Sequence, residues 1–307
     1  MIKTIGKFIG LLILTAVLVF LVHLAEGNGC NVMVILLSAV IGWLVEQLLF
    51  SAQDIADINS WKKDERKCRR GHFINKDTLI RISFSYIFRI KVDGKYLLVM
   101  NKRNTGKYQP VGGVYKMLDS EKRFLASQYG CMDDDMIPID ASSKNDYRLR
   151  VKDRYLRAFV RRFNKGIGRE LVYNLSREFK EELIDTRILS SENFKKIRYE
   201  YVGRYYNGVK FTQKFGYYEL LLGDVVSLLP TPEQENELRE LLNGGLSDEV
   251  CFYTDEQINK LGVGVVQGEL KEIIADHTIN VLEKNKDNLE SGYNKGKVYE
   301  AELEEQQ

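Results

Sequence analysis

The chain has 307 residues, with 45 Lys and Arg against 43 Asp and Glu and a formal net charge of +2. That balance excludes a dedicated duplex-binding protein, whose surface must answer many phosphates, and the length predicts one substantial core with an appendage. Four scattered cysteines, Cys30, Cys68, Cys131 and Cys251, show neither a disulfide framework nor Cys/His metal spacing and fit a reducing compartment.

In chain order, residues 8–24 and 32–50 are nearly unbroken apolar runs, each close to the roughly 20 residues a helix needs to cross a bilayer. Residues 25–31 contain Gly27, Asn28 and Gly29, which suit a tight turn, so 1–50 reads as a transmembrane helical hairpin. Lys3 and Lys7 precede the first span, and Lys62, Lys63, Arg66, Lys67, Arg69 and Arg70 follow the second, which predicts cytoplasmic termini. A cleaved signal peptide is the competing reading, disfavoured by the second span that follows at once. Glu46 is the charged residue inside the second run, level with Lys7, and is expected either to pair with that lysine or to reach the interface. Gly6 and Gly10, and Ser38 and Gly42, place small residues one turn apart, a spacing that permits close helix contact.

Residues 51–77 read as a charged juxtamembrane connector and 78–284 as one domain with an insertion at 115–167. Segments 79–90 and 96–102 are predicted to pair as a hairpin turning at 92–95. Segment 107–114 is a short strand ending in Gly112 and Gly113, where the backbone can turn sharply or approach a ligand. The insertion carries Asp133, Asp134 and Asp135, then a basic stretch from Arg148 to Lys165 in which Tyr155, Leu156, Phe159, Val160 and Phe163 recur at helical spacing. One face then meets the core, leaving arginines such as Arg157 and Arg161 to bind phosphates, pair with the aspartates or form a solvated face.

Segment 168–184 is predicted helical and contains Arg177-Glu178-Phe179-Lys180-Glu181-Glu182. Spacings of three and four residues put Glu178, Glu181 and Glu182 on one face, where they can converge on a hard cation, Mg²⁺ or Mn²⁺, with Arg177 as a brace. An acidic solvated face is the ordinary alternative, yet the pattern arises by chance in a chain of this length about once in a few hundred to a thousand times. Segments 196–206 and 209–222 read as strands joined at Asn207-Gly208, with Tyr199, Tyr201 and Tyr205 alternating onto one face, either as sheet residues or as stacking platforms for nucleobases. Helices are predicted at 232–242 and 268–283, and a polar tail at 285–307. The fold class is a two-helix transmembrane hairpin plus an α/β domain with a mixed sheet sandwiched by helices.

On these residues the chain resembles the Nudix family, whose motif reads Gly, five residues, Glu, seven residues, then Arg-Glu-apolar-x-Glu-Glu-x-Gly-apolar. The second half matches at Arg177 to Glu182. An insertion separates Gly112-Gly113 from it, Arg169 stands where the motif has Glu, Glu170 lies one place out of register, and Ile184 replaces the later glycine. The resemblance implies metal binding at a diphosphate by Glu178, Glu181 and Glu182. With two apolar spans ahead, the chain also resembles the SMODS-associated Nudix proteins, transmembrane effectors of bacterial cyclic-oligonucleotide antiphage signalling (CBASS). That resemblance implies a multi-pass inner-membrane protein whose cytosolic domain binds a cyclic oligonucleotide made by a CD-NTase nucleotidyltransferase. Gly112, Gly113, Arg157, Arg161 and Tyr201 are the nucleotide-binding candidates; the resemblance further implies that ligand-induced homo-oligomerisation disrupts the lipid bilayer and kills the cell. The rivals are a membrane-tethered Mg-dependent hydrolase of nucleoside diphosphate derivatives and a scaffold with a vestigial metal helix.

Overall fold

The apolar runs form α1 (Ile2–Gly27) and α2 (Asn31–Ala56), each longer than the run that predicts it. The computed structural model describes residues 2–56, 60–101, 105–134, 143–213, 216–244, 248–266, 269–290 and 294–303. Two compact units result, Met1–Gly71 and His72–Gln307. In the first, the chain reverses through Asn28-Gly29-Cys30, with Gly29 at φ 71° and the Asn28 side chain donating to the Leu24 carbonyl at 2.8 Å. The windows Ile5–Gly27 and Asn31–Gln53 each have 23 residues. At 1.5 Å per residue that is about 34 Å, enough for a hydrocarbon layer of roughly 30 Å. Only 6% of either window is buried, and Ile13, Phe20, Val32, Ile35 and Leu36 face outward. Water does not favour so much bare apolar surface, and the two helices are candidate membrane spans.

Glu46 is exposed on α2 and, among the described residues, makes no ion pair with Lys7, because both side chains lie on outward positions of their helices. The expected connector is largely helical. α2 continues to Ala56, and α3 (Trp61–Arg70) follows with Trp61 buried, Arg66 donating to the Gln53 carbonyl at 2.8 Å and Arg69 paired to Glu65 at 2.8 Å.

The second unit contains β1 (Leu79–Arg89), β2 (Lys91–Val92), β3 (Lys95–Met100), β4 (Tyr108–Gln109), β5 (Gly112–Val114), α4 (Asp119–Tyr129), β6 (Met132–Asp133), β7 (Arg148–Lys152), α5 (Asp153–Asn164) and α6 (Arg177–Phe179). There follow β8 (Lys196–Tyr206), β9 (Lys210–Thr212), β10 (Tyr217–Leu228), α7 (Pro232–Asn243), β11 (Val250–Thr254), α8 (Asp255–Asn259), β12 (Gly264–Val266), β13 (Glu269–Lys271) and β14 (Val298–Glu302). The larger sheet has the order β14-β8-β10-β1-β7-β6, with β5 beside β1 and β9 beside β10. β1 and β10 run parallel and their other pairings are antiparallel, so the sheet is mixed. A smaller sheet joins β11, β3 and β2, with β4 beside β3.

β1 is central because it is apolar on one face and largely buried on both. Phe84, Tyr86 and Phe88 point towards the helices: Phe84 stacks on Phe163 of α5 at 3.6 Å between ring centres, and Phe88 meets Phe179 of α6 edge-on at 5.5 Å. On the opposite face Ile87, with Val202 and Val225, packs against Tyr96 and Leu98 of the smaller sheet and against Ile258, Ile274 and Leu282.

Three pairings differ from expectation. β1 does not form the long hairpin with β3: the turn at 92–95 closes the two-residue pairing of β2 with β3, while β1 belongs to the other sheet. A strand buried on both sides needs partners on both edges, which β10, β5 and β7 supply. Asn207-Gly208 does not close a two-residue hairpin either, since β9 intervenes and β8 pairs with the later part of β10, Tyr206 opposite Leu222 and Tyr199 opposite Leu228. Segment 268–283 holds β13 and a 3₁₀ segment, Asp276–Val281, rather than a helix, and the expected polar tail supplies β14, which lies along β8.

Candidate functional site

The acidic motif occupies one and a half turns. α6 passes directly into a π turn, Lys180–Ile184, marked by the Asp185 amide donating to the Lys180 carbonyl at 2.9 Å. The longer helix predicted over 168–184 does not form: Glu170 N bonds across to the Lys116 carbonyl at 2.8 Å and Gly168 takes φ 66°, so the backbone there serves turns and a bridge to the insertion. Phe179 and Leu183 are buried and seat the segment on the core. A π turn widens the helix and is frequent where side chains must be re-aimed.

Here it brings Glu178 and Glu182 to β5. The Gly112 amide donates to Glu182 Oε2 at 3.0 Å, and a Cβ on Gly113 would lie 1.9 Å from Glu178 Oε1. A Cβ on Gly112 would lie 2.1 Å from the Tyr86 carbonyl oxygen, at a backbone φ of 150° that side chains rarely adopt. The glycine pair is therefore required by close approach, on one side to β1 and on the other to a motif glutamate.

Arg177 organises the surroundings. Its guanidinium donates to Glu178 Oε1 at 2.5 Å, to the Val114 carbonyl at 2.9 Å and to Glu170 Oε2 at 3.4 Å, and lies 3.7 Å from Glu181. Glu170, out of register in the sequence, thus reaches the bracing arginine after all, and it also accepts from the Lys116 amide at 3.2 Å and Tyr86 Oη at 3.3 Å. Burial pushes the Glu170 carboxyl up despite Arg177. Burial likewise opposes the charge of Arg177, but Tyr86, Glu170 and Glu178 hold the guanidinium above its ordinary range.

Glu178, Glu181 and Glu182 line a cleft of about 220 Å³ together with Glu249, the residue before β11. Nothing in the spacing marks Glu249; the pairing of β11 with β3 carries it there. An all-carboxylate set has the chemistry that Mg²⁺ and Mn²⁺ prefer. The orientations are different: Glu178 faces Arg177, Glu182 faces the Gly112 amide, and among the described residues no three such side chains converge as a cation site. On the far side of Arg177 lies a larger cleft of about 580 Å³, bordered by Lys116, Arg169, Lys180 and Glu181.

The other expected site residues lie elsewhere. Arg161 is exposed on α5 and lines a shallow cleft of about 260 Å³ with Tyr129, Arg162 and Lys165; Arg157 is half-buried on the same helix. Neither borders the clefts beside Arg177. Much of the basic stretch is internally paired: Arg162 bonds both oxygens of Glu121 at 2.7 and 2.6 Å, and Arg148 bonds Asp146 at 2.9 Å. Asp134 pairs with Arg81 at 2.7 Å and Asp133 with Lys122 at 2.8 Å, while Asp135 lies outside the described residues.

Tyr201 is not a stacking platform. Its side chain is buried and its hydroxyl donates to Asp224 Oδ1 at 2.8 Å, beside Arg204. Tyr199 is likewise buried, with its hydroxyl bonded to the Val172 carbonyl. The three tyrosines also do not share a face, because the register of β8 on β10 shifts between Val225 and Val226; Tyr201 stays with Asp224 on the helical side, whereas Tyr205 joins Ile87 and Val225 on the other.

A family model described as SMODS-associated NUDIX domain matches residues 79–282. A solved structure, a hydrolase of the NUDIX family from Clostridium perfringens, aligns with 70% of this chain and 98% of its own, at 12% identity and a TM-score of 0.20. No curated protein matches the chain.

Proposed function

Because the chain belongs to the SMODS-associated NUDIX family, we propose that it is a membrane effector of bacterial cyclic-oligonucleotide antiphage signalling. The observation that carries this reading is the succession of two bare apolar helices and the family domain in one chain. In this reading the hairpin lies in the inner membrane with both termini in the cytoplasm, as the basic residues on either side of it favour. The second unit takes up a cyclic nucleotide made by a CD-NTase partner. In this reading the backbone of β5 at Gly112 and Gly113 contacts the nucleotide, and Arg157 and Arg161 on α5, with Lys165 just beyond it, offer charge to phosphates.

A ligand shifts an equilibrium only between states that it binds differently, so the nucleotide must favour an assembled form of the domain. Assembly concentrates the hairpins. Small residues at Gly6, Gly10, Ser38 and Gly42 then permit close helix contact, and the outward Glu46 side chains place polar groups where lipid is disturbed, which leads to cell death. The test is dye release from liposomes bearing the full chain, with a panel of cyclic di- and trinucleotides and recovery of the nucleotide by chromatography. Release with an intact cyclic nucleotide retained is the expected result; failure of every cyclic species to bind would sink the reading.

A membrane-tethered hydrolase is the second reading, favoured by Glu249 joining Glu178, Glu181 and Glu182 in one cleft. These four carboxylates would hold Mg²⁺ or Mn²⁺, which supplies charge neutralisation at a diphosphate. Glu178 would first leave Arg177, and Glu182 the Gly112 amide. Catalytic conversion of a linear nucleoside diphosphate derivative in the same assay, lost in Glu178→Gln, would establish it.

A further inference from the structure

A fourth cleft, of about 320 Å³, opens on the opposite side of β5 from the glutamates, on the sheet face that carries Ser83, Ser85 and Tyr205. It is walled by Gln109, by Asn207 from the loop after β8 and by His277 from the 3₁₀ segment. Several of its polar side chains make no bond within the described protein. Among the described residues Ser83 Oγ, the Asn207 side-chain amide and the His277 imidazole have no hydrogen-bond partner, and the Gln109 amide nitrogen has none although its oxygen accepts from Asn101 at 2.8 Å. Ser83 is buried and His277 half-buried, and both open onto the cleft, where a ligand can meet them. Ser85 and Tyr205, by contrast, bond each other at 3.3 Å.

The lining has a further property: among the described residues no Lys or Arg borders it, and its acidic member is Asp276. Phosphate would find no counter-charge among these residues. Burial lowers the basicity of His277 against the pull of Asp276, so the imidazole is neutral and offers one donor and one acceptor. Neutral amides, a hydroxyl and a neutral imidazole in a small concave site match an uncharged planar ring with donors and acceptors on its edge.

We propose that this cleft reads a nucleobase, with Asn207, His277, Gln109 and Ser83 as its hydrogen-bonding groups. The proposal rests on the nucleotide-binding reading above and adds to it a base site at which, among the described residues, no cation lies. The volume suits one base, with the remainder of a larger nucleotide outside.

The chain has three histidines, His23, His72 and His277, so imidazole signals of a histidine-labelled full-length sample in detergent micelles can be followed singly by NMR. The probes are adenosine, guanosine, cytidine and uridine, which lack phosphate, followed by the cyclic dinucleotide panel. At least one nucleoside is expected to shift the His277 signal and not those of His23 and His72, and Asn207→Leu and Ser83→Ala are each expected to weaken that nucleoside at least tenfold. No shift of His277 by any nucleoside overturns the proposal, even where a cyclic nucleotide binds elsewhere. A nucleoside shift without any binding of cyclic nucleotides keeps the base cleft and removes the effector reading. Unchanged affinity in both variants overturns the residue assignment.

Discussion

Two carboxylate centres lie on the helical side of the larger sheet, and they are built on opposite plans. Asp224 is buried and saturated: Tyr115 and Tyr201 donate to it at 2.8 Å each, and Arg204 donates at 2.7 and 2.9 Å. Burial opposes its charge, but Arg204 and the two tyrosines hold its carboxyl below the usual range. The acidic cleft at α6 gathers Glu178, Glu181, Glu182 and Glu249, with Arg177 beside Glu178 and Glu181, partly open to water. A charge with every lone pair answered inside the protein holds the fold together, whereas carboxylates in an open cleft can be reached by a ligand.

Removing a partner from the saturated centre is the harshest way to break this contrast. Arg204→Ala leaves Asp224 buried without its counter-ion and should cost about 3–5 kcal/mol, read as a lowered urea midpoint of the full chain in micelles. An unchanged midpoint would mean that Asp224 is solvated. Next is the glycine pair. Gly112→Ala drives a Cβ into the Tyr86 backbone and should cost about 1–3 kcal/mol, whereas in Gly113→Ala the clash is with the end of the Glu178 side chain, which can swing away. Equal losses in the two variants would contradict the close approach of β1 and β5.

At the open centre the expected effect is on ligand response. If Glu178, Glu181, Glu182 and Glu249 take up Mg²⁺, saturation a hundredfold above Kd stabilises the chain by about 2.7 kcal/mol, and Glu182→Gln should lose most of that gain. Calorimetric titration with MgCl₂ checks this. The pH dependence has opposite signs at two carboxyls. Asp224, depressed, contributes stability that is present above the unfolded carboxyl pKa and lost as pH falls through its lower folded value. Glu170, raised by burial, costs stability as pH rises from the unfolded glutamate value through its higher folded value, so Glu170→Gln should flatten the decline on that interval in thermal scans. The smallest effect is at the surface. Arg161→Ala should change stability by less than about 0.5 kcal/mol, so any larger loss of cyclic-nucleotide affinity reports a direct phosphate contact.

The legibility of the parts follows the range of the physics involved. Apolar runs long enough to span a bilayer, the buried stripe Leu156, Phe159, Val160 and Phe163 of α5, and the helix expected at 232–242 that forms α7 are local, and local pattern suffices for them. The Arg177–Glu182 segment was legible as chemistry, but its π turn was not, since helical propensity does not distinguish a bond to the fourth from one to the fifth preceding carbonyl. The shared face of Tyr199, Tyr201 and Tyr205 was misread because strand alternation assumes an unbroken register, and one bulge carries Tyr205 to the other side.

From sequence alone came the hairpin, the mixed α/β class and the acidic motif, each set by residues near one another in the chain. Tertiary structure alone decided that Glu170 reaches Arg177, that Glu249 joins the motif glutamates, and that Ser83, Asn207 and His277 surround one cleft. These residues are brought together by the parallel pairing of β1 with β10 and by the smaller sheet, contacts between distant segments for which no short-range pattern is required.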